Sequence, residues 1–240
     1  MVLVTGSSRG IGFAIAAAFA KAGHKVVLNG RDADRLTQAV GQLREQFGDM
    51  VGGVYGDMSD YSIAREMFEQ IEAKFGKIEI LVNNAGVAHF GLFSDMSEPD
   101  IFRIISDNLH TTINASHLAV PHMVHARAGC IINISSVWGV VGASCEVIYS
   151  AAKAGVIGFT KALARELGPS GVRVNAIACG AFDTGMNDRL SAEEKADFTA
   201  GIPLERFGQP WEVGELAVFL ASPKAGYLTG QVIALDGGLI

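Results

Sequence analysis

Short apolar runs alternate along the chain with longer stretches of helical period, and this alternation restricts the fold more than any other feature. The runs are Val2 to Thr5, Lys25 to Leu28, Val51 to Tyr55, Ile80 to Asn83, Cys130 to Ser135, Val172 to Ala178 and Gln231 to Leu235. Between them lie apolar-periodic segments at about Ile11 to Ala22, Asp34 to Phe47, Ser59 to Phe75, Pro99 to His125, Tyr149 to Leu167 and Trp211 to Leu220. Parallel neighbours need a crossover, usually a helix, so the pattern predicts an α/β fold with a doubly wound seven-stranded parallel sheet flanked by helices. The runs stay apolar, as in Ile131-Ile132-Asn133-Ile134, instead of alternating with polar residues. That suits strands covered on both faces.

With 240 residues and no break in composition, residues 1–240 read as a single domain. Hydrophobic residues make up 49% and charged ones 18%, which excludes a disordered chain, and a net charge of −6 disfavours non-specific nucleic-acid binding. Cys130, Cys145 and Cys179 are odd in number and lack ligand spacing, so neither disulfides nor zinc are expected, and a cytoplasmic location is the default. The chain enters Val2-Leu3-Val4 with no leader-like segment, and no apolar run is expected to cross a membrane. His110, His117, His122 and His125 crowd one helix without metal-ligand spacing, so no metal is expected. The stretch from about 182 to 208 reads as a lid or substrate loop, because Asp188, Arg189, Glu193, Glu194 and Lys195 form a charged helical patch. A plain solvated surface helix is the alternative.

Thr5-Gly6-Ser7-Ser8-Arg9-Gly10-Ile11-Gly12 falls between the first strand and the first helix. A glycine turn there lets backbone approach a pyrophosphate held at the helix N-terminus. The second strand ends in Leu28-Asn29-Gly30-Arg31. An acid at this point would accept from a ribose 2′-hydroxyl and repel a 2′-phosphate; none stands at Asn29 or Gly30, while Arg9 and Arg31 offer two guanidinium groups to a phosphate. NADP(H) is therefore expected over NAD(H).

Tyr149 and Lys153 stand four residues apart, on one face of a helix, and a nearby cation is expected to lower the phenol pKa into a useful range for acid–base work. Ser136 closes a predicted strand at the sheet edge where ligands bind, in position to hydrogen-bond a carbonyl. Asn108 interrupts an apolar helix, where an amide calls for a specific hydrogen bond. Trp138, just after Ser136, is a candidate wall of the substrate pocket.

Together these residues resemble the short-chain dehydrogenase/reductases over nearly the whole chain, and hence imply a Rossmann fold. The resemblance rests on Thr5-Gly6-x-x-x-Gly10-Ile11-Gly12, Asp57, Asn83-Asn84-Ala85-Gly86, Asn108, Ser136, Tyr149-x-x-x-Lys153 and Thr229-Gly230-Gln231 with Asp236-Gly237-Gly238. It implies Tyr149 as general acid in carbonyl reduction, Ser136 orienting the carbonyl, Lys153 holding the nicotinamide ribose and Asn108 anchoring a water. It further implies Asp57 and Met58 at adenine, Asn84, Ala85 and Gly86 along the cofactor ribose, and Phe182 and Thr184 at the carboxamide and phosphate. Similar enzymes form homotetramers through the helices at 99–125 and 149–167, so a tetramer is expected, with a dimer as fallback.

Within that family the chain is most similar to the 3-oxoacyl-acyl carrier protein reductases, by Gly155-Val156-Ile157-Gly158-Phe159-Thr160-Lys161. Of the two arginines those reductases present to their carrier, Arg127 matches one; Ser170 replaces the other, with Arg173 as a possible substitute. Cys179 stands where the family has proline, which predicts a looser loop, while Gly180 is expected to supply backbone freedom. Glu146 replaces a neutral residue before Tyr149 and would favour a cationic ketone, as in reductases of 5-aminopentanone attached to elongation factor P. The expected activity is NADPH-dependent ketone reduction. Two alternatives are that aminoketone reduction and a non-catalytic NADP(H)-binding sensor or scaffold.

Overall fold

A computed structural model of the protein describes residues 1–185 and 191–240. Its strands are β1 (Val2–Val4), β2 (Val26–Gly30), β3 (Val51–Tyr55), β4 (Ile80–Asn83), β5 (Gly129–Ser136), β6 (Val172–Cys179) and β7 (Val232–Leu235). All are parallel and form one sheet in the order β3-β2-β1-β4-β5-β6-β7. The helices are α1 (Gly10–Lys21), α2 (Ala33–Phe47), α3 (Tyr61–Phe75), α4 (Glu98–Ile105), α5 (Thr111–Ala126), α6 (Trp138–Val141), α7 (Val147–Leu167), α8 (Ala192–Ala200) and α9 (Pro210–Ala221). The result is a single-domain Rossmann-type α/β fold, as the alternation predicts.

The core explains why the strands carry no polar face. Val2 and Val4 pack with Ile15 and Phe19 of α1, Leu36 of α2 and Val213 of α9, whereas Leu3 between them packs with Met67 and Ile71 of α3 and Met123 of α5. Successive strand residues point to opposite faces, and helices cover both. Burying each large side chain stabilises the fold by roughly 2 kcal/mol, so a charge anywhere along β1 would break the sheet at its centre.

Three local expectations are corrected. The helix expected over 99–125 is divided by a π turn at Ser106–His110. There the Asn108 amide donates to the Ile104 carbonyl at 2.9 Å, supplying a side-chain donor where the helical ladder is displaced. The short helix α6 was not foreseen; four residues give too little period to read. Finally, α7 and the turn after it, Val147–Ser170, reach a mean hydropathy of 1.2 in an 18-residue window, long and apolar enough to cross a membrane. In this fold α7 packs against β5 and β6 with Val156, Ala164 and Leu167 buried, while the window as a whole is 33% buried.

In the proposed lid stretch, α8 opens on a capping box in which Ser191 and Glu194 satisfy each other's backbone N–H groups. Asp188 and Arg189 of the charged patch lie outside the described residues. The far end of the stretch is tied to the sheet: Ile202 is buried, Leu204 N–H donates to Gly237 at 3.2 Å, and Gly208 N–H donates to Ala181 at 2.9 Å.

Candidate active site

The strand order reverses between β1 and β4, and open α/β sheets leave a crevice beyond the carboxyl ends at that point. Here the two ends are bonded directly. Thr5 Oγ1 accepts from the N–H groups of Asn84 and Ala85 at 3.0 and 3.1 Å, and the Asn84 amide donates to the carbonyls of Thr5 and Gly6 at 3.1 and 2.9 Å. Gly6 has φ +60°, and a Cβ on it would lie 2.6 Å from Ala85 Cα. A Cβ on Gly12 would collide with the Asn84 amide and lie 2.8 Å from Ser7 Cα. Backbone thus occupies the space of side chains, leaving a smooth floor.

Helix α1 rises from this floor at Gly10 with no side-chain cap and no acid in its first turn, whereas Asp32 and Asp60 cap α2 and α3. Its open N–H groups and the positive end of its dipole suit a pyrophosphate. Ser8 and the exposed Arg9 line the turn, Ile11 packs against the core, and Thr184 stands over Gly10, with its Cγ2 3.8 Å from where a Cβ would be. The residues suit a dinucleotide: among the described residues, backbone, small side chains and the exposed Arg9 lie where phosphates would approach.

At the opposite end of the crevice the structure changes the reading of β2. Asn29 is buried, its amide donating to the Val54 and Gly56 carbonyls at 3.3 and 3.1 Å and its Oδ1 accepting from Gly6 N–H at 3.4 Å, so it braces the phosphate turn and is not at a ribose-reading position. Arg31 is engaged: Nη1 lies 2.7 Å from Asp107 Oδ1 and 3.4 Å from Asp57 Oδ2. Burial depresses the guanidinium pKa, but the two carboxylates outweigh it and raise the pKa. Arg9 has no ionic partner among the described residues. Met58 lies in the core and its carbonyl accepts from Asn114 at 3.0 Å, leaving only its backbone to face an adenine. Phe182 is likewise buried, packing over Gly208.

Ser136, Tyr149 and Lys153 converge at the carboxyl end of β5. Ser136 accepts from Trp138 N–H at 3.1 Å through its hydroxyl and hydrogen-bonds Tyr149. Lys153 Nζ donates to the Ile134 carbonyl at 3.1 Å and lies 5.7 Å from the centre of the Tyr149 ring. Asn108 closes the group. Its amide donates to Val87 at 2.9 Å and its Oδ1 accepts from Val87 N–H at 3.2 Å, pinning the strand-end loop after Gly86. Trp138 opens α6 half-buried beside Ser136, and Glu146 precedes α7 close enough for its charge to act on Tyr149.

The expected lowering of the Tyr149 pKa is not found. Burial is the largest influence and raises it; the Ser136 hydrogen bond opposes this, and the Glu146 charge adds to it. Lys153 itself is brought down to about 8 by burial. Burial also pushes the Cys179 thiol up to about 12, so it stays neutral. These shifts give stability a defined pH profile. Lys153 binds its proton less readily folded than unfolded, so its contribution grows as pH rises from about 8 towards 10.5. Cys179, raised from 9.0, begins to oppose it above pH 9. Melting temperature is expected to climb between pH 8 and 9 in the wild type and to lose that climb in Lys153→Met.

Several side chains position the site in ways that the motifs do not spell out. Thr5 and Ser7 bind backbone across the floor, Ser135 holds the Lys153 carbonyl at 2.9 Å, and Gly139 of α6 rides directly on the α7 backbone at Lys153 and Ala154. Residue type alone carries no signal for such packing. Gly180 has no left-handed backbone; its role is close approach, since a Cβ would lie 2.7 Å from Asp236 Cα. Nor is the adjacent loop loose: Gly180 and Asp183 N–H groups donate to Leu235 and Gly208 at 3.0 and 2.8 Å. Arg173 cannot stand in for a carrier-binding arginine, because it donates to the Ala221 and Leu228 carbonyls at the end of α9 and beyond. Arg127 is exposed, reaching the Pro169 carbonyl at 3.1 Å.

A glycine-floored crevice beside a serine, tyrosine and lysine defines a class, and the comparisons agree: the chain belongs to the short-chain dehydrogenase/reductase family of oxidoreductases acting on CH–OH groups. A family model described as "Enoyl-(Acyl carrier protein) reductase" matches residues 6–240. The 3-oxoacyl-[acyl-carrier-protein] reductase FabG of Chlamydia trachomatis is 40% identical over 237 residues, covering 99% of this chain and 96% of that protein. Its namesake in Aquifex aeolicus is 42% identical over 237 residues, with the same coverage. The crystal structure of a "putative gluconate dehydrogenase" from Agrobacterium tumefaciens superposes with a TM-score of 0.96 at 34% identity, covering 100% of this chain and 95% of that one.

Proposed function

We propose that the protein is an NADPH-dependent ketoreductase of the 3-oxoacyl-acyl carrier protein reductase type, acting in the cytoplasm as a homotetramer. The observation that carries this reading is the convergence of Ser136, Tyr149 and Lys153 beside the glycine floor. Gly6, Ser8, Gly10, Ile11 and Gly12 would hold the pyrophosphate, and Arg9 with Arg31 the 2′-phosphate. Arg31, Asp57 and Met58 would hold the adenosine end, and Asn84, Ala85, Gly86, Gly180, Phe182 and Thr184 the nicotinamide half.

Bound NADPH would supply the hydride. Ser136 would hold the carbonyl oxygen, and Tyr149, kept protonated by burial, would give that oxygen its proton as negative charge develops. Lys153 retains its charge at neutral pH, and so would stabilise the phenolate left behind. Asn108 fixes the loop after Gly86, and with it the distance across the site. Exposed Phe102 and Val147, on the helices expected to pair, support self-association. The stretch 182–208 would serve as a lid or substrate loop, tied at Asp183 to Gly208 and at Leu204 to Gly237.

The test is loss of NADPH absorbance on adding a 3-oxoacyl thioester, carrier-bound or as a pantetheine analogue. Turnover of neither, nor of any simple ketone, would leave a non-catalytic NADP(H)-binding protein. A second reading has its own support: the Glu146 carboxylate acts on Tyr149 and would attract a cationic ketone such as an aminopentanone on elongation factor P. Preference for an aminoketone over its neutral analogue is expected to fall about fivefold in Glu146→Gln, or about 1 kcal/mol. An unchanged ratio removes that substrate class.

A further inference from the structure

The pairing of Arg31 is unusual for a phosphate ligand. Both terminal nitrogens are committed to Asp107, Nη1 to Oδ1 at 2.7 Å and Nη2 to Oδ2 at 3.4 Å, and Nη1 also meets Asp57 at 3.4 Å. The Asp107 side chain is 7% exposed against 50% for Arg31, so the carboxylate is a fixed interior partner and the guanidinium is the part that reaches solvent. We propose that Asp107 is a specificity-determining residue, which competes with the 2′-phosphate for Arg31 and limits the preference for NADPH over NADH.

The argument rests on the NADP(H) reading above and follows from charge. One guanidinium between two carboxylates leaves the cluster at −1, and a phosphate monoester brings about −1.5 to −2 more. A phosphate that took Arg31 for itself would strand Asp107, and an unpaired buried carboxylate is strongly destabilising. A phosphate that shared Arg31 would gain only part of a bidentate pair while facing Asp107 across it. Either route penalises the 2′-phosphate alone. NADH carries a hydroxyl at that position and leaves the pair intact, so Asp107 narrows the gap between the cofactors.

Its location gives the pair a second consequence. Asp107 sits in the π turn immediately before Asn108, and its carbonyl accepts from Thr111 Oγ1 at 3.0 Å. The ion pair therefore joins the end of β2 to the turn that positions Asn108. If this bracing governed binding, removing Asp107 would weaken NADPH instead of tightening it, and the two roles give opposite signs.

The experiment is calorimetric titration of the full chain with NADPH and with NADH, in the wild type, Asp107→Asn, Arg31→Met and the double variant. Asp107→Asn keeps the shape and removes the charge. It is expected to tighten NADPH about fivefold to tenfold, a change of about 1 to 1.4 kcal/mol, and to move NADH less than about twofold. The double variant is expected to lose the gain. Asp107→Thr gives the same direction should the asparagine variant fold poorly, and a thermal melt of each apoprotein identifies that case. Weaker NADPH binding, an equal shift for both cofactors or no change overturns the proposal. Loss of NADPH affinity in Arg31→Met without a gain in Asp107→Asn sinks the proposal alone. Wild-type binding of NADH tighter than of NADPH sinks the NADP(H) reading as well.

Discussion

Tyr149→Phe is expected to lower kcat about a thousandfold while leaving NADPH affinity within about threefold, consistent with the usual weight of a positioned proton donor. The substitution removes one oxygen and nothing else. The ring remains 5.7 Å from Lys153 Nζ, and Ser136 still accepts from Trp138 N–H at 3.1 Å, so the substrate hydroxyl partner stays where it was. Stability should change by about 1 kcal/mol, since the lost hydrogen bond to Ser136 is offset by one fewer buried hydroxyl. Stopped-flow reduction of a 3-oxoacyl thioester, paired with calorimetric cofactor binding, separates the two effects. A variant retaining a tenth of wild-type turnover would mean that the proton comes from another group, and the half-exposed Glu146 would be the first to replace.

How much of this was legible beforehand follows from the physics of each feature. The seven strands could be read because both faces are buried, which turns local sequence into long apolar runs such as Ile131 to Ile134. Helical period puts Tyr149 and Lys153 on one face, but that Ser136 joins them could be read only from the resemblance to a known family. The environment of Tyr149 could not. A spacing of four puts an ammonium near a phenol, but whether the cation or the burial dominates the phenol depends on neighbours contributed by β5, α6 and the loop before α7. Burial prevails there, with the Glu146 charge adding to it and the Ser136 hydrogen bond opposing it. Arg31 illustrates the same limit: its availability depended on Asp107, 76 residues away in a π turn that no periodicity announces. Asn29 looked like a missing acid and proved to be an interior brace, because side-chain direction at a strand end is set by the pleat and by what lies beneath it.

Gly12→Ala tests whether the floor of the crevice is as tight as its geometry requires. A methyl group at Gly12 meets the Asn84 amide, and it lies 2.5 Å from the Gly6 carbonyl oxygen and 2.8 Å from Ser7 Cα. The last two are backbone, unable to rotate aside. Asn84 could move only by releasing the Thr5 and Gly6 carbonyls, which are its bonds between β1 and β4. Overpacking of this kind costs about 1 to 3 kcal/mol. Cofactor affinity should fall by about a hundredfold, or about 2.7 kcal/mol, because the N–H groups at the start of α1 shift with the turn. Gly41→Ala supplies the contrast. It lies within α2 with nothing inside 4 Å of its would-be Cβ, and alanine there should add about 0.5 to 1 kcal/mol of stability without touching NADPH binding. Thermal melts and NADPH titrations of the two variants should therefore diverge in sign for stability and in size for binding. Parallel behaviour would show that the turn can yield, and that its glycines reflect chain flexibility and not a phosphate's closeness to the backbone.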